Sequence, residues 1–201
     1  MNRGDGAGER DVVYIGRYHC ASDYKSTTGV KPKYNINRST ARNGIHNLGS
    51  NIWQCDFAMR FTIWLLYLVE FANWDSQAKI GYGCGSRTSV DNMGYTDSMP
   101  YHTGTTNSSR TAIGLGTQYR NIEGLWDNVF DYMDGCYYNS SGMNIIMNPS
   151  SFSDISTSAG ISIGTPPNAG YPSAFTVKNV SGTFPTFIPT AANGSDSTYS
   201  C

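Results

Sequence analysis

Charge is what this sequence has least of. Asp, Glu, Lys and Arg make up 14% of its 201 residues and the formal net charge is -1, where soluble domains carry roughly 25% charged residues. The surface is therefore expected to be built from Ser, Thr, Asn, Gly and Tyr. No basic cluster is present to neutralise a phosphate backbone, so nucleic acid is not an expected partner. Cysteine pairing is poorly supplied too. Cys20, Cys55, Cys84, Cys136 and Cys201 are odd in number and include no CxxC pair. Neither a zinc site nor a disulfide framework is expected, and buried thiols from a reducing compartment fit better. Long apolar runs are missing as well. The stretch from Phe57 to Trp74 is strongly apolar, but Arg60 and Glu70 interrupt it. Its unbroken part is too short to cross a bilayer, so no membrane insertion is expected. The polar, Gly-rich start MNRGDGAGERD carries no signal-peptide pattern, and Arg3-Gly4-Asp5 within it is read as a chance tripeptide. Histidine is limited to His19, His46 and His102, none at metal spacing with a second ligand. The many serines have no nucleophile-elbow sequence around them. The glycine clusters GYGCG and GLG do not link a clear strand to a helix, which rules out a dinucleotide or phosphate loop.

What is present reads as one α+β domain over 12–201 after a flexible lead at 1–11. VVYIGRYHC (12–20) is rich in β-branched and aromatic residues and predicts a strand. NRSTARNGIHNLG predicts a short helix capped by Ser39 or Thr40 and ended by Gly49. The main helix is expected in FAMRFTIWLLYLVEFANW, with Asp56 as N-cap. There Phe57, Phe61, Trp64, Leu65, Leu68 and Phe71 recur at helical spacing and form a core-facing stripe. Residues 81–118 predict loops and brief strands. DNVFDYMDG predicts a strand holding Val129 and Phe130, and YYNSSGMNIIMN a hairpin turning on Ser141-Gly142. Residues 149–175 predict a long Ser/Gly/Pro-rich excursion, and SAFTVKNVSGTFPTFIPTAA small strand fragments. Asn-x-Ser/Thr triplets begin at Asn37, Asn107, Asn139, Asn179 and Asn193; in so Asn- and Ser-rich a chain they arise by chance.

The densest stretch is YRNIEGLWDNVFDYMDG, Tyr119 to Gly135. Asp131 and Asp134 stand three apart, but no third group is evident to make them an acid/base pair. Asp127, Asn128, Asp131 and Asp134 are oxygen donors of the kind a calcium loop uses, without the spacing of the helical calcium loop. The preferred reading is structural, with metal binding second. In it, Trp126, Val129, Phe130 and Tyr132 pack inward, and the Asp and Asn side chains accept from backbone N–H groups in turns.

That stretch resembles the pattern R-G-I-E-N-x-W-G-N-V-W-E-W-x-D-G. The pattern marks C-type-lectin-like domains related to the formylglycine-generating enzyme, as found in tail proteins of phages and prophages of gut bacteria. Some of these are variable targets of diversity-generating retroelements. Other segments resemble the family in the same order: YIGRYHCASDYKSTTGVKP, the two-helix block from Asn37 to Gly83, MPYHTGTT, and FIPTAANGSDSTYSC. The resemblance runs from about Val12 to the last residue, and its specificity lies in the two-helix and Trp-Asp-Asn blocks together. The sequence departs from the pattern at four positions: Asp127 stands where the family has Gly, Phe130 and Tyr132 where it has Trp, with aromatic size kept, and Asp131 where it has Glu. In the family a further stretch with the variable surface and a closing strand follows the segment that ends this sequence. The resemblance therefore implies an open edge on the strand expected near Val12 to Tyr18.

The resemblance implies a lectin-like scaffold, with two helices on small antiparallel sheets, in a non-catalytic phage virion protein. Its loops would bind a bacterial surface protein or glycan, and Tyr, Ser, Gly and Asn suit such adaptable contacts. A second reading is a structural decoration of head or tail, held to other virion proteins or to copies of itself by strand exchange. An oxidase like the formylglycine-generating enzyme is least favoured. Its reactive cysteines fall on segments this sequence lacks, and Cys136 and Cys201 do not match them. Tyr95, Tyr101 and Tyr119 are equally suited to contact and to packing.

Overall fold

A computed structural model describes residues 9–81, 83, 90–99, 103–105, 116–129, 131–167, 171–180 and 184–193. Most of the lead, Cys84, His102, Tyr101, Phe130, Cys201 and much of the Gly/Ser-rich middle lie outside them. The architecture is α+β, with three helices and several small antiparallel sheets among the described residues. Two compact units form by contact. One comprises Met1–Val13, Trp53–Val69 and Met133–Ser200; the other comprises Tyr14–Ile52 and Glu70–Tyr132.

In the first unit the main helix, α2 (Phe57–Phe71), starts as its sequence predicts. Asp56 accepts from the Met59 backbone N–H at 2.9 Å, taking up one of the donors that a helix start leaves unpaired. The backbone of Asp134 brackets the same point: Phe57 N–H donates to its carbonyl, and its own N–H donates to Cys55. Ala58 and Phe61 are buried, with Phe57, Trp64 and Leu65 packed beside them, so the first four residues of the aromatic stripe face the core, while Ile63 and Tyr67, outside that stripe, are buried as well. Ala58 completes it, although its small side chain gave no periodic signal.

Against that stripe lies the sheet β4 (Cys136–Asn139), β5 (Gly142–Ile145) and β6 (Ile161–Gly164). The core gathers Cys136, Met143, Ile145, Met147 and Ile163, with Ile188 joining from the last strand. Full burial of each such aliphatic side chain is worth about 1.5–3 kcal/mol. The β4–β5 hairpin turns at Ser140-Ser141, between the paired Asn139 and Gly142. The expected excursion after 149 is instead partly regular. It contains a 3-10 turn at Pro149–Ser151 and then β6.

The largest departure in this unit is the end of the described chain. In place of fragments, β7 (Tyr171–Val180) and β8 (Phe184–Asn193) form a ten-by-ten antiparallel hairpin. Prolines within a run argue against a strand in sequence reading, yet a two-stranded ribbon has outer edges where a missing N–H costs nothing. Phe187 meets Phe61 and Phe175 meets Trp64 at ring distances of 6.3 and 5.7 Å. Thr186 and Ile188, on the alternate row, are buried.

The second unit holds α1 (Arg38–His46), α3 (Ser76–Lys79) and the sheet β1 (Gly104–Thr105), β2 (Thr117–Tyr119), β3 (Ile122–Glu123). The cap of α1 is Asn37, not Ser39 or Thr40: its side-chain oxygen accepts from Thr40 N–H at 2.8 Å. Gly49 lies beyond the helix end, where its N–H reaches the His46 carbonyl. The strand expected at 12–20 does not form. Among the described residues only an isolated bridge, Cys20 to Ser26, occurs there. Val12, Val13, Tyr14 and Ile15 are exposed instead. β-propensity is realised only where a neighbour pairs and packs, and a described strand reaches this segment through a single backbone bond, Glu123 N–H to the Arg17 carbonyl.

Candidate functional site

The Trp-Asp-Asn stretch sits in the second unit, and each of its three residues fastens a different piece of chain. It begins at a tight hairpin. Arg120 and Asn121 both have positive φ, 49° and 64°, the geometry of the two-residue turn that matches strand twist. The turn joins β2 to β3 and places Glu123 opposite Gln118. Glu123 is buried, and its carboxylate accepts from Gly94 N–H at 2.7 Å and from the N–H and hydroxyl of Thr96. Trp126 donates its indole N–H to the Gly81 carbonyl at 3.0 Å. Asp127 accepts from the Tyr95 hydroxyl, from Thr117 N–H at 2.7 Å and from the Thr117 hydroxyl. Asn128, at φ 67°, accepts from Asp91 N–H and donates to the Asp91 carbonyl, a reciprocal clamp at 2.9 and 3.1 Å.

Gly124 makes the crowding feasible. Its φ is 75°, and a Cβ there would stand 2.9 Å from the His19 ring and 3.1 Å from an Asp127 oxygen. His19 itself bonds Asp131 through Nε2 at 2.9 Å, with the imidazole 17% exposed. That pairing was invisible in the sequence, where the two residues are far apart and His19 carries no spacing signal. Burial raises the Asp127 pKa; the Tyr95 and Thr117 hydrogen bonds and the His19 charge counter it in part. Burial, together with the carboxylates of Asp23 and Asp131, also raises the Cys20 thiol pKa. A thiol so placed is poorly disposed to form a nucleophilic thiolate.

The four proposed metal donors go to separate partners. Asp127 serves Tyr95 and Thr117, Asn128 serves Asp91, and Asp131 serves His19. Asp134 belongs to the first unit, where it is fully buried and accepts from the Gly135 N–H at 3.0 Å. No group of three or more His, Cys, Asp or Glu side chains fit to hold a metal occurs among the described residues. The inward packing expected of Tyr132 is corrected by the structure: its side chain is exposed, as is that of Asp131. Turn geometry sets this, since Asn128 in the left-handed region breaks the alternation a strand would have given. Tyr119 lies at the opposite extreme, fully buried with its hydroxyl on Glu70 and its ring 6.2 Å from Phe71. Tyr95 serves as an internal hydrogen-bond donor. Cys20, Cys55 and Cys136 form no disulfide, and of these only Cys136 is buried, where the sequence leads to an expectation of buried thiols.

A second polar cluster lies nearer the surface of this unit. Asp97 accepts from the hydroxyls of Tyr18 and Thr28 and pairs with Arg17 at 3.0 Å. No helix among the described residues is long and apolar enough to cross a membrane. No protein family model matches the chain, and no curated protein or solved structure matches it either.

Proposed function

We propose that this is a non-catalytic bacteriophage virion protein with a C-type-lectin-like scaffold that binds a bacterial surface protein or glycan. The observation that carries the reading is how the Trp-Asp-Asn stretch is used. Glu123, Trp126, Asp127 and Asn128 spend their polar groups holding loops together. A loop-rich body fastened by buried carboxylates is what a display scaffold requires, because rigid loops lose less entropy on binding. The exposed surface is correspondingly neutral and tyrosine-bearing, with Tyr34, Tyr132 and Tyr138 open to solvent.

The test is competition for host cells. Purified protein should reduce phage adsorption to the bacterial surface, and Tyr132→Ala together with Tyr34→Ala should weaken its own cell binding about tenfold, the scale of aromatic contact residues. Absence of any cell binding by the folded protein would remove this reading. The structural-decoration reading would then stand. The exposed run Val12, Val13, Tyr14 and Ile15 favours it, as an exposed apolar segment suits a neighbouring virion protein.

A further inference from the structure

We infer that the outer edge of β7 pairs with β7 of a second copy of this chain, joining two β7–β8 hairpins into one four-stranded antiparallel sheet. The argument starts from the prolines. In an antiparallel pair, directly opposed residues point their N–H and C=O groups either both toward the partner strand or both away. Proline has no N–H, so Pro185 and Pro189 must belong to the outward set. They face Asn179 and Phe175 across the ladder, and Phe187 faces Val177. The outward row of β8 is thus Pro185, Phe187, Pro189, in which two of three donors are absent. That edge is closed to strand addition.

In its regular part the outward row of β7 is Phe175, Val177 and Asn179, none of them a proline, whereas Pro172, beyond the register shifts, lacks a donor. The run Thr176 to Asn179 is exposed along its length, whereas β8 buries Thr186 and Ile188. Among the described residues no strand other than β8 pairs with β7. Register shifts between Pro172 and Phe175 interrupt the ladder on one side, which confines any pairing to the regular part around Val177.

The strand's own sequence points to a second copy as the occupant. A two-fold axis through Val177 makes that residue its own partner, with each copy's N–H donating to the other's carbonyl. Lys178 then stands opposite Thr176 of the other copy, so the two ammonium groups are not juxtaposed. The charge that would otherwise guard this edge is directed elsewhere: Lys178 Nζ reaches toward the Ser162 carbonyl of β6 at 3.5 Å. This inference stands apart from the host-binding reading and holds whatever ligand the protein takes.

Analytical ultracentrifugation of the full chain across a concentration series tests it. Wild type should show a monomer–dimer equilibrium. Val177→Pro deletes the central intermolecular donor while leaving every β7–β8 bond, and should raise the dimer Kd by about tenfold or more. A side-chain pair keeps the test independent of hairpin folding: Thr176→Glu should tighten the dimer against Lys178 of the other copy, and Thr176→Lys should loosen it. A wild type that stays monomeric throughout, or a dimer indifferent to Val177→Pro and to the sign at 176, overturns the inference. So does a monomer that takes up only strands of unrelated sequence.

Discussion

Asp97 shows how this protein uses its few charges. Burial alone would raise its pKa, but hydrogen bonds from Thr28 and Tyr18 and the Arg17 guanidinium outweigh it and hold the carboxyl below its usual range. A carboxyl whose pKa is lowered by folding stabilises the native state above its unfolded pKa. That contribution disappears as pH falls through the folded value. Asp97→Asn should therefore lower stability at neutral pH and flatten the loss seen below about pH 4, as read by urea unfolding at stepped pH. The residue is well exposed, so the effect should be modest and salt-sensitive. Gly124 is a harsher case. With φ at 75° and His19 and Asp127 within contact of a would-be Cβ, Gly124→Ala should cost about 1–3 kcal/mol. The His19–Asp131 pair should be disturbed with it, visible as a shift of the His19 imidazole resonances. At this scale Asp56 was legible because a cap is a local rule. Asn37 is not legible as the cap, because three capping residue types sit within four positions and only the backbone decides among them.

Element by element, legibility followed how local the cause was. The α2 stripe and the β4–β5 hairpin are written in short-range patterns, and both are present. The β7–β8 hairpin was hidden because its prolines read as breakers until the pairing shows that they lie on an outer edge. The segment Val12 to Ile15 erred the other way, since strand-forming side chains without a pairing strand give only extended, exposed chain. Gly44 in α1 offers a test in which packing and propensity disagree. Helix propensity alone would favour Gly44→Ala by about 1 kcal/mol. The added Cβ, however, would stand 2.1 Å from the ring of Tyr24, over which Lys33 also rests. Thermal unfolding of Gly44→Ala should show a net loss of about 1–3 kcal/mol, the usual cost of overpacking.

For the molecule as a whole, the succession of helical and strand-like patterns along the sequence leads to an α+β chain, and the architecture is α+β. The sequence did not foretell that carboxylates and amides would be the fasteners. Asp127, Asn128, Asp131 and Asp134 read as metal donors in the sequence because oxygen-rich side chains look alike there whether they face an ion or a backbone amide. Their observed partners lead to a direct expectation. Exhaustive chelation should leave the melting temperature unchanged, and a drop restored by added calcium would assign these oxygens a second duty.

The order in which the two units draw on the chain carries a consequence for its birth. Nearly all of the second unit, with its Trp-Asp-Asn clamp, has been synthesised once Tyr132 is added. Helix α2 by then has its cap, Asp56, but not Cys136, Met143, Ile145, Ile163 or Ile188, the residues that will cover its aromatic side. During synthesis that greasy flank waits in the open for the last third of the polypeptide. A pause in translation after Tyr132 should be the moment at which a nascent-chain chaperone is most needed.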